Sequence, residues 1–390
     1  MSQPRQKIAV VTGSRAEYGL LYWVLHDLRH QENVDLQLIV TGSHLSPEFG
    51  MTVHEIEHDG FTVHARVEML LSSDTPGGTA KSMGLGIMGM SDALERLHPD
   101  IVLVLGDRFE ILAAVQACLV HNIPVAHIAG GDTTEGAFDE SIRHAITKMA
   151  HVHLVTNTLS AQRVLQMGED PRHVHIVGSP GIDHLHRLTL LARPELESAL
   201  GAPLGARNLL ITFHPVTLEP LESERQFGEL LAALDKAEAS STLWFTKPNA
   251  DSGGRALASM LDTWAEQRKN RVRVHTSLGQ LRYLSLMAHV DAVIGNSSSG
   301  LYEAPSFKVP TINLGDRQRG RLSAKSVIHC EPEGAHILAA LAHARTLDCK
   351  DVVNPYGEGR SASLIVDVLT HLPPSQALLK KHFHLMGDLS

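Results

Sequence analysis

IVLVLGDRFE, residues Ile101–Glu110, decides the fold. An unbroken apolar run and a glycine lead straight into a charged cluster. That is how a buried parallel strand ends when its carboxyl end opens into a ligand crevice. Asp107, Arg108 and Glu110 then stand at the mouth of the crevice, at the start of a helix. A capped helix start would give the same string, because aspartate is favoured there. Recurrence of the pattern along the chain separates the two readings.

Working outward, Lys7–Gly13 reads as a strand, Ala16–His30 as a helix and Val34–Gly42 as a second strand. Asp100–Gly106, Pro124–Gly131 and His151–Asn157 are further apolar strands, with helices at Phe109–His121 and Asp139–Ala150 between them. The second half restarts the rhythm. Its strands are Asn208–Phe213, Thr242–Thr246, Val272–His275, Asp291–Gly295 and Thr311–Leu314, and its helices lie near Glu222–Lys236, Gly254–Glu266, Leu278–His289 and Ala335–Leu347. Strands alternating with helices of this length imply parallel βαβ units. The fold class is therefore α/β, with two doubly wound, Rossmann-like domains and a ligand cleft between their strand carboxyl ends. The expected boundaries are 1–186, 187–360 and a C-terminal helix and tail, 361–390, packing back on the first domain. The seam falls in Arg187–Ala206, where the strand signal fades into GAPLGARN.

Composition narrows the function. At 390 residues the chain is long for a single core. A net charge of −9 argues against a nucleic-acid backbone as partner, and 4% aromatic residues argue against stacking platforms for single strands. No apolar stretch reaches the roughly 20 residues that span a bilayer, and the opening apolar run is too short for a signal peptide. Three scattered cysteines, Cys118, Cys330 and Cys349, suggest reduced thiols in the cytoplasm. The 25 histidines look like a metal signal, but most are single. HVH at His151–His153 and His173–His175 could chelate on one strand face; without a third ligand at defined spacing, these pairs read as solvent-facing. No metal or other cofactor is expected.

Each strand end carries a motif. TGSRAEYG, Thr12–Gly19, offers Gly13 for a tight turn, a helix N-terminus with free amides, and Arg15 as a forked phosphate donor. GLGIMG, Gly84–Gly89, matches GxGxxG, but no strand runs into it and it leads into a helix, so it is not a dinucleotide fingerprint. HIAGGDTTEGAFDESIRH, His127–His144, concentrates Asp132, Glu135, Asp139, Glu140, Arg143 and His144 behind two glycines. TFHPVT puts His214 at the end of the second domain's first strand, and KPNADSGG presents Asn249 and Asp251 in a turn. In IGNSSSGLYEAP, Ser297, Ser298, Ser299 and Gly300 open a helix suited to a pyrophosphate, and Glu303 follows where a carboxylate could take a ribose diol. Serine capping is the structural alternative. GDRQRGR adds Arg317, Arg319 and Arg321 in an acidic protein.

Together these segments, with SMGLGI and NPYGEG, resemble the UDP-N-acetylglucosamine 2-epimerases, most closely the UDP-hydrolysing branch. The resemblance runs in order from about residue 7 to 372. It implies a glycosyltransferase-B-like fold, a nucleotide-sugar substrate, a homodimer or homotetramer, and no nicotinamide or metal in the chemistry. It also implies conversion of UDP-N-acetylglucosamine and water to N-acetylmannosamine and UDP, through elimination to 2-acetamidoglucal and then hydration, feeding sialic acid synthesis. Carried over motif by motif, Asp107 and Glu110, with Asp139 or Glu140, supply acid–base groups; Arg143 orients them, and His214 sits by the leaving phosphate. Arg15, Arg108, His144, Asn249, Asp251, Ser297, Ser298, Ser299, Gly300, Glu303, Arg317 and Arg319 hold the nucleotide sugar.

One departure matters. Members of the family carry a glutamate two residues after the histidine of HIxGG, and here that residue is Ala129. An acid–base role must move, with Asp132 and Glu135 as the nearest carboxylates. Alternatively the pocket serves a UDP- or GDP-linked 2,4-diacetamido-trideoxy hexose of a legionaminic-type pathway, or the protein binds a nucleotide sugar and turns it over poorly. A non-hydrolysing epimerase, a glycosyltransferase of the same fold and a nucleotide-sugar sensor are the other readings.

Overall fold

The computed structural model describes residues 5–385 apart from 74, 134–137, 216–219 and 248–253. The chain divides into two compact units, Met1–His184 with Tyr356–Ser390, and Leu185–Pro355.

The first unit is a seven-stranded sheet built from β1 (Gln6–Thr12), β2 (Val34–Thr41), β3 (Val63–Val67), β4 (Ile101–Leu105), β5 (Val125–Ile128), β6 (Val152–Val155) and β7 (Val174–Ile176). Its order is β3-β2-β1-β4-β5-β6-β7. The second unit has six strands, β8 (Asn208–Thr212), β9 (Thr242–Thr246), β10 (Val272–His275), β11 (Ala292–Gly295), β12 (Thr311–Leu314) and β13 (Val327–Cys330), ordered β10-β9-β8-β11-β12-β13. All these strands pair in parallel. In each sheet the strand order reverses at one place, between β1 and β4 and between β8 and β11, and ligands bind beyond the carboxyl ends at such points.

The apolar runs form strands because both faces are covered. On β1, Ile8 and Val10 enter one core with Leu21 and Leu25, while Ala9 and Val11 enter the opposite core with Met90 and Val115. Alternate residues of a strand point to opposite faces, so a central strand must be apolar at every position. The same helix that follows NPYGEGR, Ser361–Thr370, completes the first core with Ala362, Ile365, Val366 and Leu369. Ile365, Val366 and Leu369 each contribute about 1.5–3 kcal/mol by this burial. Asp183, itself buried, caps this helix: Ser361 N–H and Ala362 N–H donate to its two carboxylate oxygens at 2.8 and 2.7 Å.

Three readings from sequence change. GLGIMG does not precede a helix but lies inside one, Pro76–Leu97. Its glycines serve packing: a Cβ on Gly86 would come within 2.8 Å of Met69, and one on Gly89 within 2.7 Å of Val67. His151 and His153 are buried rather than solvent-facing. His151 accepts the Val125 amide, and His153 pairs at 2.8 Å with buried Glu169, which also binds Lys148 and Lys381. Burial pushes His151 down to about 4 and also lowers His153. Glu169 would be raised by burial, but His153 and the two lysines hold it at about 2. The seam region also carries a helix, Arg193–Leu200. Among the described residues, no group of three or more His, Cys, Asp or Glu is placed to hold a metal ion, and no helix is long and apolar enough to cross a membrane.

Asp183→Ala would leave two buried amides without an acceptor. The expected loss is about 2 kcal/mol of stability, read as a lower urea midpoint; an unchanged midpoint would mean that water replaces the carboxylate.

Candidate active site

In the first unit the site grows from the ends of β1, β4 and β5. β4 ends in Gly106, whose φ of +83° favours glycine. The Gly106 carbonyl is held at 2.7 Å by Nε2 of His127, a wholly buried side chain on β5 that burial pushes down to about 3. A neutral ring that donates from Nε2 fits this bond, and it fixes the backbone from which Asp107 projects. The helix that follows begins at Phe109, with Arg108 as its N-cap and no side-chain capping bond. Asp107 is therefore not a helix cap. It forms an ion pair with Arg143, from the helix Phe138–Met149.

Arg143 is the centre of the cluster. Its side chain is 7% exposed. Besides Asp107 it binds Glu140 Oε2 at 3.2 Å and the Asp132 carbonyl at 2.8 Å. Glu140 Oε1 in turn accepts from His144 Nε2 at 3.2 Å, one turn along the same helix. Asp139 lies within electrostatic reach of Asp107, Arg108 and Arg143. Burial raises its carboxyl first and the Asp107 charge adds to that, against the two arginines. One acid held as an ion pair beside another inclined to keep its proton is the arrangement that acid–base chemistry needs.

Several predicted residues take other places. Glu110 is not at the mouth but buried, with 1% exposure; its carboxylate accepts from Arg108 Nε and Nη2 at 3.0–3.3 Å. Bare glycines make room for it, since a Cβ on Gly42 would lie 3.0 Å from Glu110 Cγ. Arg15 is 73% exposed and paired with Glu55 at 3.0 Å. The Gly13 amide is not free either: it donates to Glu17 at 2.7 Å. Asp132 braces the loop, its Oδ1 accepting from Thr156 and Ser160 hydroxyls, both at 2.6 Å. Ala129 has a φ of +65°, and its methyl packs against the apolar core. Glu135, Asn249 and Asp251 lie outside the described residues.

The second unit presents His214, the serine loop and the arginine loop at its own reversal point. Asn296, which the sequence reading passed over, joins all three. Its side chain accepts the His214 amide at 2.7 Å and donates to the His214 carbonyl at 2.8 Å. Its own carbonyl accepts from Gln318 at 2.8 Å and Arg317 at 3.2 Å. Gly295 before it has a φ of +134°, and any Cβ there would meet the Thr212 carbonyl at 1.9 Å. The helix opened by the serines, Ser299–Tyr302, is a single turn, and its N-cap Ser298 makes no side-chain capping bond. Ser299 Oγ contacts Tyr283 at 2.6 Å and Ser297 at 3.2 Å. Gly300 is buried against Thr311. Glu303 Oε2 is buried without a partner, and burial pushes that carboxyl up to about 7. Arg319 pairs with Asp316 at 2.8 Å and stays 68% exposed. The pairing pattern that would have flagged Asn296 is absent from the sequence, since its side chain bonds only the His214 backbone.

Two parallel, doubly wound sheets make this a protein of two Rossmann-like domains, the glycosyltransferase-B-like class. A solved structure described as UDP-GlcNAc 2-epimerase from Neisseria meningitidis bound to UDP-GlcNAc shares the fold, with a TM-score of 0.73 at 20% identity over 94% of this chain and 100% of that one. The sequence model of the family described as UDP-N-acetylglucosamine 2-epimerase matches residues 26–370. The GDP/UDP-N,N'-diacetylbacillosamine 2-epimerase (hydrolyzing) of Campylobacter jejuni is 41% identical over 84% of this chain and 85% of its own. The UDP-N,N'-diacetylbacillosamine 2-epimerase (hydrolyzing) of Legionella pneumophila is 33% identical over 96% and 98%. The chain belongs to the UDP-N-acetylglucosamine 2-epimerase family, in its hydrolysing branch.

Asn296→Ala should release His214 from the serine loop. UDP affinity is expected to fall about tenfold, with a loss of about 1–3 kcal/mol of stability from the His214 backbone groups left unpaired. Calorimetric titration checks this; unaltered affinity would separate the clamp from the nucleotide.

Proposed function

We propose that this chain is a hydrolysing 2-epimerase whose substrate is a nucleotide-linked 2,4-diacetamido-trideoxy hexose of the N,N'-diacetylbacillosamine type. The observation that carries this is the likeness, over most of the chain, to the two diacetylbacillosamine epimerases. Ala129 supports it, because the departure from the UDP-N-acetylglucosamine pattern falls inside the acid-rich motif. Turnover of UDP-N-acetylglucosamine itself, with N-acetylmannosamine as product, is the second reading, favoured by the description of the family.

The chemistry divides between the two sets of residues. The C1–O bond breaks with its electrons leaving on the nucleoside diphosphate, and the C2 proton passes to a carboxylate, which leaves a glycal. Water then adds at C1 while a proton is returned to C2 on the opposite face, giving the free sugar inverted at C2. Asp107, held against Arg143, is the group that receives the C2 proton. Asp139, raised by burial and by Asp107, is the acid that returns one. Glu140 and His144 stay behind Arg143 and fix its direction. His214 and Arg317 face the departing diphosphate, where preorganised donors stabilise developing charge. Ser297 and Ser298 take the phosphate oxygens, and the unpartnered Glu303 oxygen takes a ribose hydroxyl.

Two measurements test this. The kcat/KM should be at least about tenfold higher on the UDP- or GDP-linked diacetamido sugar than on UDP-N-acetylglucosamine; the reverse order would establish the second reading. Asp107→Asn should still bind UDP yet lose about two to four orders of magnitude in kcat. Unchanged turnover would remove Asp107 from the reaction.

A further inference from the structure

Under the phosphate-type loop of the first unit sits a carboxyl that the reaction as described does not use. Glu17 lies in the first turn of the helix Arg15–Arg29, and only 6% of it is exposed. Its Oε2 accepts the Gly13 amide at 2.7 Å, and its Oε1 is buried with no partner. The next peptide is pinned from the turn after β2: the Ser43 amide and hydroxyl both donate to the Gly13 carbonyl, at 2.9 and 3.0 Å. Glu110 closes in from the β4 side. A Cβ placed on Gly13 would be 3.3 Å from both Glu110 Cβ and Glu17 Oε2, so the two acids crowd the same glycine.

The charged neighbours of Glu17 are Glu110, Arg108 and Asp107, all from the end of β4. From the β2 side comes His44, buried between the Thr12 and Thr52 hydroxyls, whose ring burial pushes down to about 4. Arg108 is already committed to Glu110 through its Nε and Nη2. A second buried negative charge would compete for that guanidinium and draw Arg108 away from the Asp107–Asp139 side.

We propose that Glu17 is a positioning residue of the reaction, working as a neutral carboxylic acid that fixes the Gly13–Ser14 loop without competing with Glu110 for Arg108. This rests on the acid–base cluster at Asp107 being the reacting centre. Its burial pushes the Glu17 carboxyl up to about 8, with Glu110 adding to the effect against the Gly13 bond. The consequence for folding has a definite sign. Between 4.5 and about 8 the folded chain holds a proton at Glu17 that the unfolded chain has released. Stability therefore declines as pH rises through that window and levels off above it.

The test compares the full chain with Glu17→Gln and Glu17→Ala. Carboxyl-carbon NMR of glutamate-labelled protein should show one signal, missing in Glu17→Gln, that is protonated at neutral pH and titrates near 8. Wild-type kcat/KM should fall as pH rises through about 8. Glu17→Gln, which copies the neutral form, should keep most of its turnover at neutral pH, escape that fall, and lose the decline in thermal midpoint between about 7 and 8, the decline at lower pH being shared with Glu303. Glu17→Ala should fold and drop about tenfold or more in kcat/KM. A Glu17 signal already ionised at neutral pH, or a Glu17→Gln as impaired as Glu17→Ala, overturns the proposal. If the wild-type chain turns over none of the sugars, the reading of its function fails, and the carboxyl signal still decides the state of Glu17.

Discussion

A nearly buried guanidinium must be surrounded by acceptors, because an unpaired charge out of water costs several kcal/mol. Arg143 meets that demand with Asp107, Glu140 and the Asp132 carbonyl. Everything around the site follows from this one requirement. The helix Phe138–Met149 has to present Arg143 towards the end of β4, and Gly106 has to turn the chain so that Asp107 can reach it. Asp132 has to be braced by Thr156 and Ser160 so that its carbonyl stays in line. The forked geometry of arginine suits the task, since lysine could not face three acceptors from a fixed plane.

The same cluster explains how two neighbouring aspartates differ. Asp107 has a cation in contact with it, whereas Asp139 feels burial and the Asp107 charge before it feels either arginine. Proximity therefore separates the two rather than making them equivalent. The second unit solves a different problem with neutral groups. Asn296 ties His214, the serine loop and the arginine loop together, its side chain bonding the His214 backbone and its carbonyl accepting from Gln318 and Arg317.

Much of the architecture was legible because central parallel strands are apolar at every position. Ile101–Leu105 and Asn208–Thr212 announce themselves in this way. The edge strands β3 and β13 escaped notice: VHARV and VIHC are each covered incompletely and carry polar residues on the open side. The clustering of Asp107, Arg143 and Glu140 could be anticipated from motif order, whereas the burial of Glu110 could not. That depends on Gly13 and Gly42 meeting across two strands, a long-range fact with no local signature. The histidine pair at His151 and His153 was misread for a related reason. A polar residue on a buried strand looks solvent-facing until its partner is known, and Glu169 comes from a distant loop. The placements of Asn296 and Glu17 were likewise invisible, because the partners of their side chains are backbone groups.

The most direct test of the account is a phosphorus and proton NMR time course of the purified protein in deuterated water, with the nucleotide-linked 2,4-diacetamido sugar and no acceptor. The account predicts free nucleoside diphosphate together with a free sugar that is inverted and deuterated at C2. Release of nucleotide with the C2 proton retained would contradict it, because the carboxylates around Arg143 would then have taken no proton from the sugar.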